Sequence, residues 1–158
     1  MIDLNELETY RENNRIEAKL ALGGLPNSIW ETYSAFANTC GGVILLGVEE
    51  YSDKTLHPVD LPDPERLVRE FWELVNDPKV TNVNLLHEDD VQLHQLGDKD
   101  VITITVPKAN TADKPVYIGS DPMTGTYRRR GEGDHRCTAE EIQEMMRKAK
   151  RQHRKCCE

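Results

Sequence analysis

In the run Arg15-Ile16-Glu17-Ala18-Lys19-Leu20 every second residue is apolar. That period predicts a strand whose wet face carries Arg15, Glu17 and Lys19. Residues 1–13 before it read as a short polar helix or turn. Past the loop Gly23-Gly24-Leu25-Pro26 the spacing changes. Ile29, Trp30, Tyr33, Phe36 and Ala37 recur at helical intervals over 28–38. Asn27 or Ser28 is the expected cap, with Glu31 completing a capping box from Ser28. The turn Asn38-Thr39-Cys40-Gly41-Gly42 then leads into the continuous apolar run Val43–Val48, which predicts a central strand buried on both faces.

Residues 49–63 are polar and read as a loop. Asp63 and Pro64 open a second helix, with Leu67, Val68, Phe71, Trp72 and Val75 as its apolar stripe and Asn76-Asp77-Pro78 as its stop. Strands are expected at Val80–Leu86 and Val91–Leu96, around Glu88-Asp89-Asp90. The hairpin signal Gly97-Asp98-Lys99-Asp100 leads into a further strand, Val101–Val106. Pro115–Ile118 and Thr126–Arg129 read as a strand pair. Thr138-Ala139-Glu140-Glu141 is a capping box opening a helix to about Lys150, and 151–158 read as a frayed basic tail, expected to be disordered. The mixed order predicts one α+β domain over 1–150, with a mixed sheet and about three main helices.

Composition narrows the picture. No stretch approaches the ~20 apolar residues of a membrane span. The acidic N-terminus lacks the pattern of a signal peptide. Four cysteines, at 40, 137, 156 and 157, do not form a secreted disulfide framework, so a reducing cytoplasm is expected. The net charge of -8 first argues against a polyanion partner. The charge is unevenly placed, however. Residues 128–158 hold 10 basic and 6 acidic residues, while 49–100 hold 5 basic and 14 acidic. The chain is therefore polar in the electrical sense, with room for one anion-binding face.

Four ordered pieces carry a family resemblance. They are Glu12-Asn13-Asn14-Arg15-Ile16-Glu17-Ala18-Lys19, the stretch Ser34–Glu50, Pro115-Val116-Tyr117 with Thr126–Gly131, and Thr138–Ile142. Together they resemble the Schlafen AlbA-type domain, also described as a DNA-binding or divergent AAA-type domain of bacterial transcriptional regulators. The resemblance implies a nucleic-acid partner, DNA or RNA. It also implies that Glu12, Glu17 and Glu50 match positions some Schlafen proteins use as a metal-dependent ribonuclease site. Clustered carboxylates of this kind suit Mg²⁺ or Mn²⁺. Otherwise no cofactor is expected. Gly41-Gly42 and Gly47 are followed by no Gly-Lys-Ser/Thr, so they make a tight turn and not a phosphate loop.

The run Arg128-Arg129-Arg130 is the sharpest basic feature, and on a strand Arg128 and Arg130 share one side. With Lys19, Lys108 and Lys114 it makes the expected set of phosphate contacts. Tyr127 can stack on a base or support the sheet. Asn38 reads as structural, bonding backbone at the helix end. His153 with Cys156 and Cys157 makes only a fragment of a metal pattern, and no histidine has an evident catalytic partner. Three readings follow: a nucleic-acid-binding domain contacting backbone through the basic hairpin, a metal-dependent endoribonuclease, and a protein-interaction or homo-oligomerising module suited to the acidic middle.

Overall fold

Four strands make the central sheet of the computed structural model, which describes residues 2–157, with side chains as far as Arg154. They are β1 (Ile16–Lys19), β2 (Gly42–Leu46), β5 (Val91–Leu96) and β6 (Lys99–Val106), in the spatial order β1-β2-β6-β5. β1 runs parallel to β2, and β6 is antiparallel to both β2 and β5. The architecture is α+β with a mixed sheet, as the element order implied. β2 is buried on both sides: Ile44 and Leu46 join one apolar cluster and Leu45 joins another.

The larger cluster lies under α1 (Ile29–Asn38) and α2 (Pro64–Val75). Trp30 of α1 stacks on Phe71 of α2 with ring centroids 5.3 Å apart. The opposite sheet face packs Leu45, Ile16 and Val101 against Leu7, Val48 and Leu56. Leu7 belongs to a 3₁₀ turn at Leu4–Thr9, as expected for the polar start. Val48 and Leu56 belong to a small hairpin of β3 (Val48–Glu50) and β4 (Leu56–Pro58). This hairpin stands where the polar composition of 49–63 suggested only loop.

The turn into β2 needs glycine at position 41. Its φ is +70°, and a Cβ there would meet the Val106 carbonyl oxygen at 2.8 Å. Gly47, at φ +83°, presses on the Leu61 side chain in the same way, with 2.6 Å left for a Cβ. Both glycines are structural.

Three expectations are corrected. Val80–Leu86 is extended but not a strand; only Thr81 bridges, to Ile118. Around Val83 to Leu86 side chains satisfy part of its backbone instead. The Tyr33 hydroxyl donates to the Val83 carbonyl (2.7 Å) and accepts from the Leu85 N–H (3.1 Å). Likewise Pro115–Ile118 and Thr126–Arg129 do not form a ladder beyond the single Tyr117–Thr126 bridge. A short helix, α3 (Pro122–Gly125), intervenes, and β7 (Tyr127–Arg130) pairs with β8 (Gly133–Arg136). Finally, α4 (Ala139–Cys157) opens on the expected Thr138–Glu141 capping box but runs past Lys150. Residues 151–157 continue that helix, since Arg, Gln and Lys are good helix formers and no Gly or Pro stops it; Glu158 lies outside the described residues. No helix among the described residues is long and apolar enough to cross a membrane.

Candidate metal and nucleic-acid site

The site lies along the outer edge of β1, where three separate segments meet. Asn13 bridges back to Ile16, so the chain before β1 folds alongside it. That return lets the Glu12 carboxylate accept the Ala18 N–H at 2.9 Å. Glu50 arrives from the end of β3, with one oxygen 3.7 Å from Lys54 Nζ. Its other oxygen is buried without a hydrogen-bond donor. Glu132 arrives from the turn between β7 and β8. Glu12, Glu50 and Glu132 each bring one carboxylate oxygen within 4.8 Å of the other two.

Crowding shows in the protonation of Glu12. Burial pushes its carboxyl up to about 7, and the neighbouring Glu50 and Glu17 add to the rise; the Ala18 N–H pulls partly back. Glu49, the other candidate after Gly47-Val48, is exposed and pairs across the hairpin with His57. The structure selects Glu50.

Glu17 takes a different part. It shares a face of β1 with Lys19, as the period implied, but that face is largely covered and not wet: the Lys19 and Glu17 side chains are 10% and 16% exposed, with their charged groups 3.7 Å apart. Its other oxygen binds Arg129 Nη2 at 2.7 Å. Lys19 Nζ also lies 3.0 Å from Ser28 Oγ, which explains why Ser28 makes no side-chain cap on α1. Arg15 leaves this face and donates to the Cys40 carbonyl.

Arg129 is not a phosphate contact. Its side chain is 0% exposed. It lies over the Phe36 ring and donates to Glu17, to Asp134 (2.7 Å), and to the carbonyls of Asn13 and Ile16. Burial works against its charge, but Asp134 and Glu17 outweigh it and hold the guanidinium above its ordinary range. Asp134 in turn accepts from Thr32 Oγ1 at 2.6 Å, tying β8 to α1. The alternation along β7 is as expected, but the inward side belongs to the core. Arg128 faces the other way and pairs with Glu141 of α4 at 2.7 Å. Arg130 is exposed and, among the described residues, has no ion pair.

A family model described as Schlafen, AlbA_2 matches residues 12–138. The chain belongs to this family. No curated protein matches it. Among solved structures, the AlbA_2 domain is similar to the N-terminal domain of a RecG-related protein from Nitrosomonas europaea. The two are 37% identical with a TM-score of 0.62, covering 85% of this chain and 90% of that one. It also shares its fold with the DIP2311 protein from Corynebacterium diphtheriae, at 19% identity and a TM-score of 0.55; the match covers 85% of this chain and 24% of that one.

The remaining candidates of the AlbA_2 domain lie apart from the carboxylates. Lys108 is exposed and Lys114 half-buried, on either side of a 3₁₀ turn at Thr111–Asp113. Asn38 is structural, donating to the Val116 and Tyr127 carbonyls and accepting the Val116 N–H. Tyr127, half-buried, lends its backbone to that network. His153 bonds the Ala112 carbonyl, and the side chains of Cys156 and Cys157 lie outside the described residues. The residue that sequence reasoning missed is Glu132. Its signal was its place in the Gly131-Glu132-Gly133 turn directly after the arginine run.

Proposed function

We propose that this domain binds nucleic acid through its phosphate backbone at the β1 edge, with a divalent cation held by Glu12, Glu50 and Glu132. The observation that carries the reading is the meeting of those three carboxylates within 4.8 Å. At an effective dielectric of 20, each pair of ionised groups so close would repel by about 3 kcal/mol. The fold can bear that cost by keeping a proton on Glu12 or by taking up a cation. The donor set fits the group: all oxygens, hard, drawn from three elements, with one Glu50 oxygen buried and unpartnered. Arg130, two residues from Glu132 and exposed, adds positive charge where a phosphate would lie. The similarity to a domain of a protein named for an ATP-dependent DNA helicase supports a nucleic-acid role.

A second reading, phosphodiester hydrolysis at the same place, is favoured by the all-oxygen donor set of the cluster. A bound divalent cation would supply charge to the phosphate and a more acidic water. Lys19, held by Glu17 and Ser28, is a cation on the same strand as the Ala18 N–H that Glu12 accepts.

The test is fluorescence anisotropy with labelled single-stranded RNA and duplex DNA, in Mn²⁺ and in EDTA. Binding should be tighter in Mn²⁺, and Glu12→Gln with Glu50→Gln should remove that gain. Equal affinity in Mn²⁺ and EDTA would contradict the proposal. Shortened RNA in Mn²⁺, absent with Glu50→Gln, would establish the hydrolytic reading.

A further inference from the structure

We propose that Lys108, Lys114 and Lys148 form a second phosphate contact for the strand held at the carboxylate cluster; the inference rests on the reading above. Lys108 follows β6, Lys114 ends the 3₁₀ turn at Thr111–Asp113, and Lys148 comes from α4. His153 Nε2 stands 3.0 Å from the Ala112 carbonyl oxygen, so α4 is seated on that turn. Tertiary structure thus brings three segments to one region, where the Lys114 ammonium feels the charge of Lys108 and Lys148.

The patch is under-compensated. Among the described residues, neither Lys108 nor Lys114 has a carboxylate within ion-pair distance, and Lys148 meets only Glu144, at 3.8 Å on an exposed face. Burial lowers the Lys114 ammonium below its ordinary range, and Lys108 and Lys148 lower it further. A half-buried cation facing two others is stabilised by an anion between them. Lysines act as point charges without a fixed fork, which suits phosphates of a mobile backbone and carries no base specificity. In a chain of net charge -8, a local surplus of this kind is not explained by solubility.

Position links the patch to the carboxylates. The Ala109 N–H donates to the Ala37 carbonyl at 2.8 Å, which fixes Lys108 beside the last turn of α1. That same end of α1 anchors β7, because Thr39 Oγ1 accepts the Arg129 N–H at 2.9 Å. Glu132 lies three residues beyond Arg129, in the turn that closes the β7–β8 hairpin. β7 thus connects the end of α1 that holds Lys108 with the turn that holds Glu132, which is the span one flexible strand would cover.

The experiment is anisotropy of a labelled oligouridylate across a salt series, in EDTA and in Mn²⁺. The proteins are wild type, Lys108→Ala with Lys114→Ala, Lys148→Ala, Lys108→Arg with Lys114→Arg, and Glu12→Gln with Glu50→Gln. The alanine pair should weaken binding about tenfold at low salt and reduce the log–log salt slope by about 1.4, near 0.7 per lost phosphate contact. Lys148→Ala should act in the same direction, and the arginine pair should restore affinity. Unchanged affinity and slope in the alanine pair, with Mn²⁺ dependence intact, overturns the patch and leaves the carboxylate reading standing. Lysine-sensitive binding that ignores both Mn²⁺ and the Glu12 and Glu50 changes supports the patch and overturns the carboxylate reading. No binding by the wild type overturns both.

Discussion

The Arg129 guanidinium meets the Glu17 carboxylate at 2.7 Å, beneath the β7–β8 hairpin and out of water. Two residues whose types suggested a phosphate clamp and a metal ligand thus satisfy each other. Asp134 and two backbone carbonyls complete the shell of the guanidinium. The pair joins the hairpin to β1, and so sets where Glu132 falls relative to Glu12.

Arg129→Ala should destabilise the fold by about 3–5 kcal/mol, because it leaves Asp134 half-buried without its cation and Glu17 with only the longer contact to Lys19. Arg130→Ala should change stability by no more than about 0.5 kcal/mol, being exposed and unpaired. Urea denaturation of the two variants compares them directly. Equal midpoints would show that the buried pair does not hold the hairpin.

Asn38 does comparable work with neutral bonds. Its amide accepts the Val116 N–H and donates to the Val116 and Tyr127 carbonyls. Asn38→Ala strands these buried groups and should cost about 2–3 kcal/mol, read as a lowered melting temperature. A melting temperature matching wild type would refute this.

Stability should also depend on pH through Glu12. Its carboxyl sits at about 7 in the folded chain, against an ordinary 4.5. Between those values the folded state keeps a proton that the unfolded state has released. That contribution to stability is therefore complete below about pH 4.5 and lost as pH rises through 7. Because the site is partly exposed, the loss should be about 1 kcal/mol. His94, pushed below its ordinary 6.5 by burial, gives the opposite slope. The difference between wild type and Glu12→Gln, denatured with urea in EDTA across this range, isolates the carboxyl. Parallel profiles would mean Glu12 does not titrate there.

Much of the fold was legible because its signals are local. The helical spacing from Ile29 to Ala37, the apolar run into Leu46, and the Thr138–Glu141 box each read correctly from neighbouring residues. What failed depended on distant partners. Val80–Leu86 has the composition of a strand, but the Tyr33 hydroxyl claims part of its backbone. Val116 and Tyr117 give their N–H groups to Asn38 and Asn82, so the expected ladder with 126–129 is reduced to the single Tyr117–Thr126 bridge. β4 was hidden by its length of three residues, ending at Pro58.

The site divided along the same line. Glu12 and Glu50 approach one another and Glu132, while Glu17 turns to Arg129. Glu132 could not be ranked from sequence, because only the register of β7 on β8 brings its turn back to the β1 edge. Strand alternation separated Arg129 from its neighbours, but only packing could say which side was the interior.

The central claim is tested most directly by calorimetric titration of the wild-type chain with Mn²⁺ at neutral pH, beside Glu132→Gln and Glu12→Gln. The account predicts one saturable site in the wild type, weakened at least tenfold in each variant, with a larger rise in melting temperature for the wild type than for either variant. About 100-fold excess over the dissociation constant should add about 2.7 kcal/mol to its stability. Equal Mn²⁺ affinity in all three proteins, or none in the wild type, would contradict it.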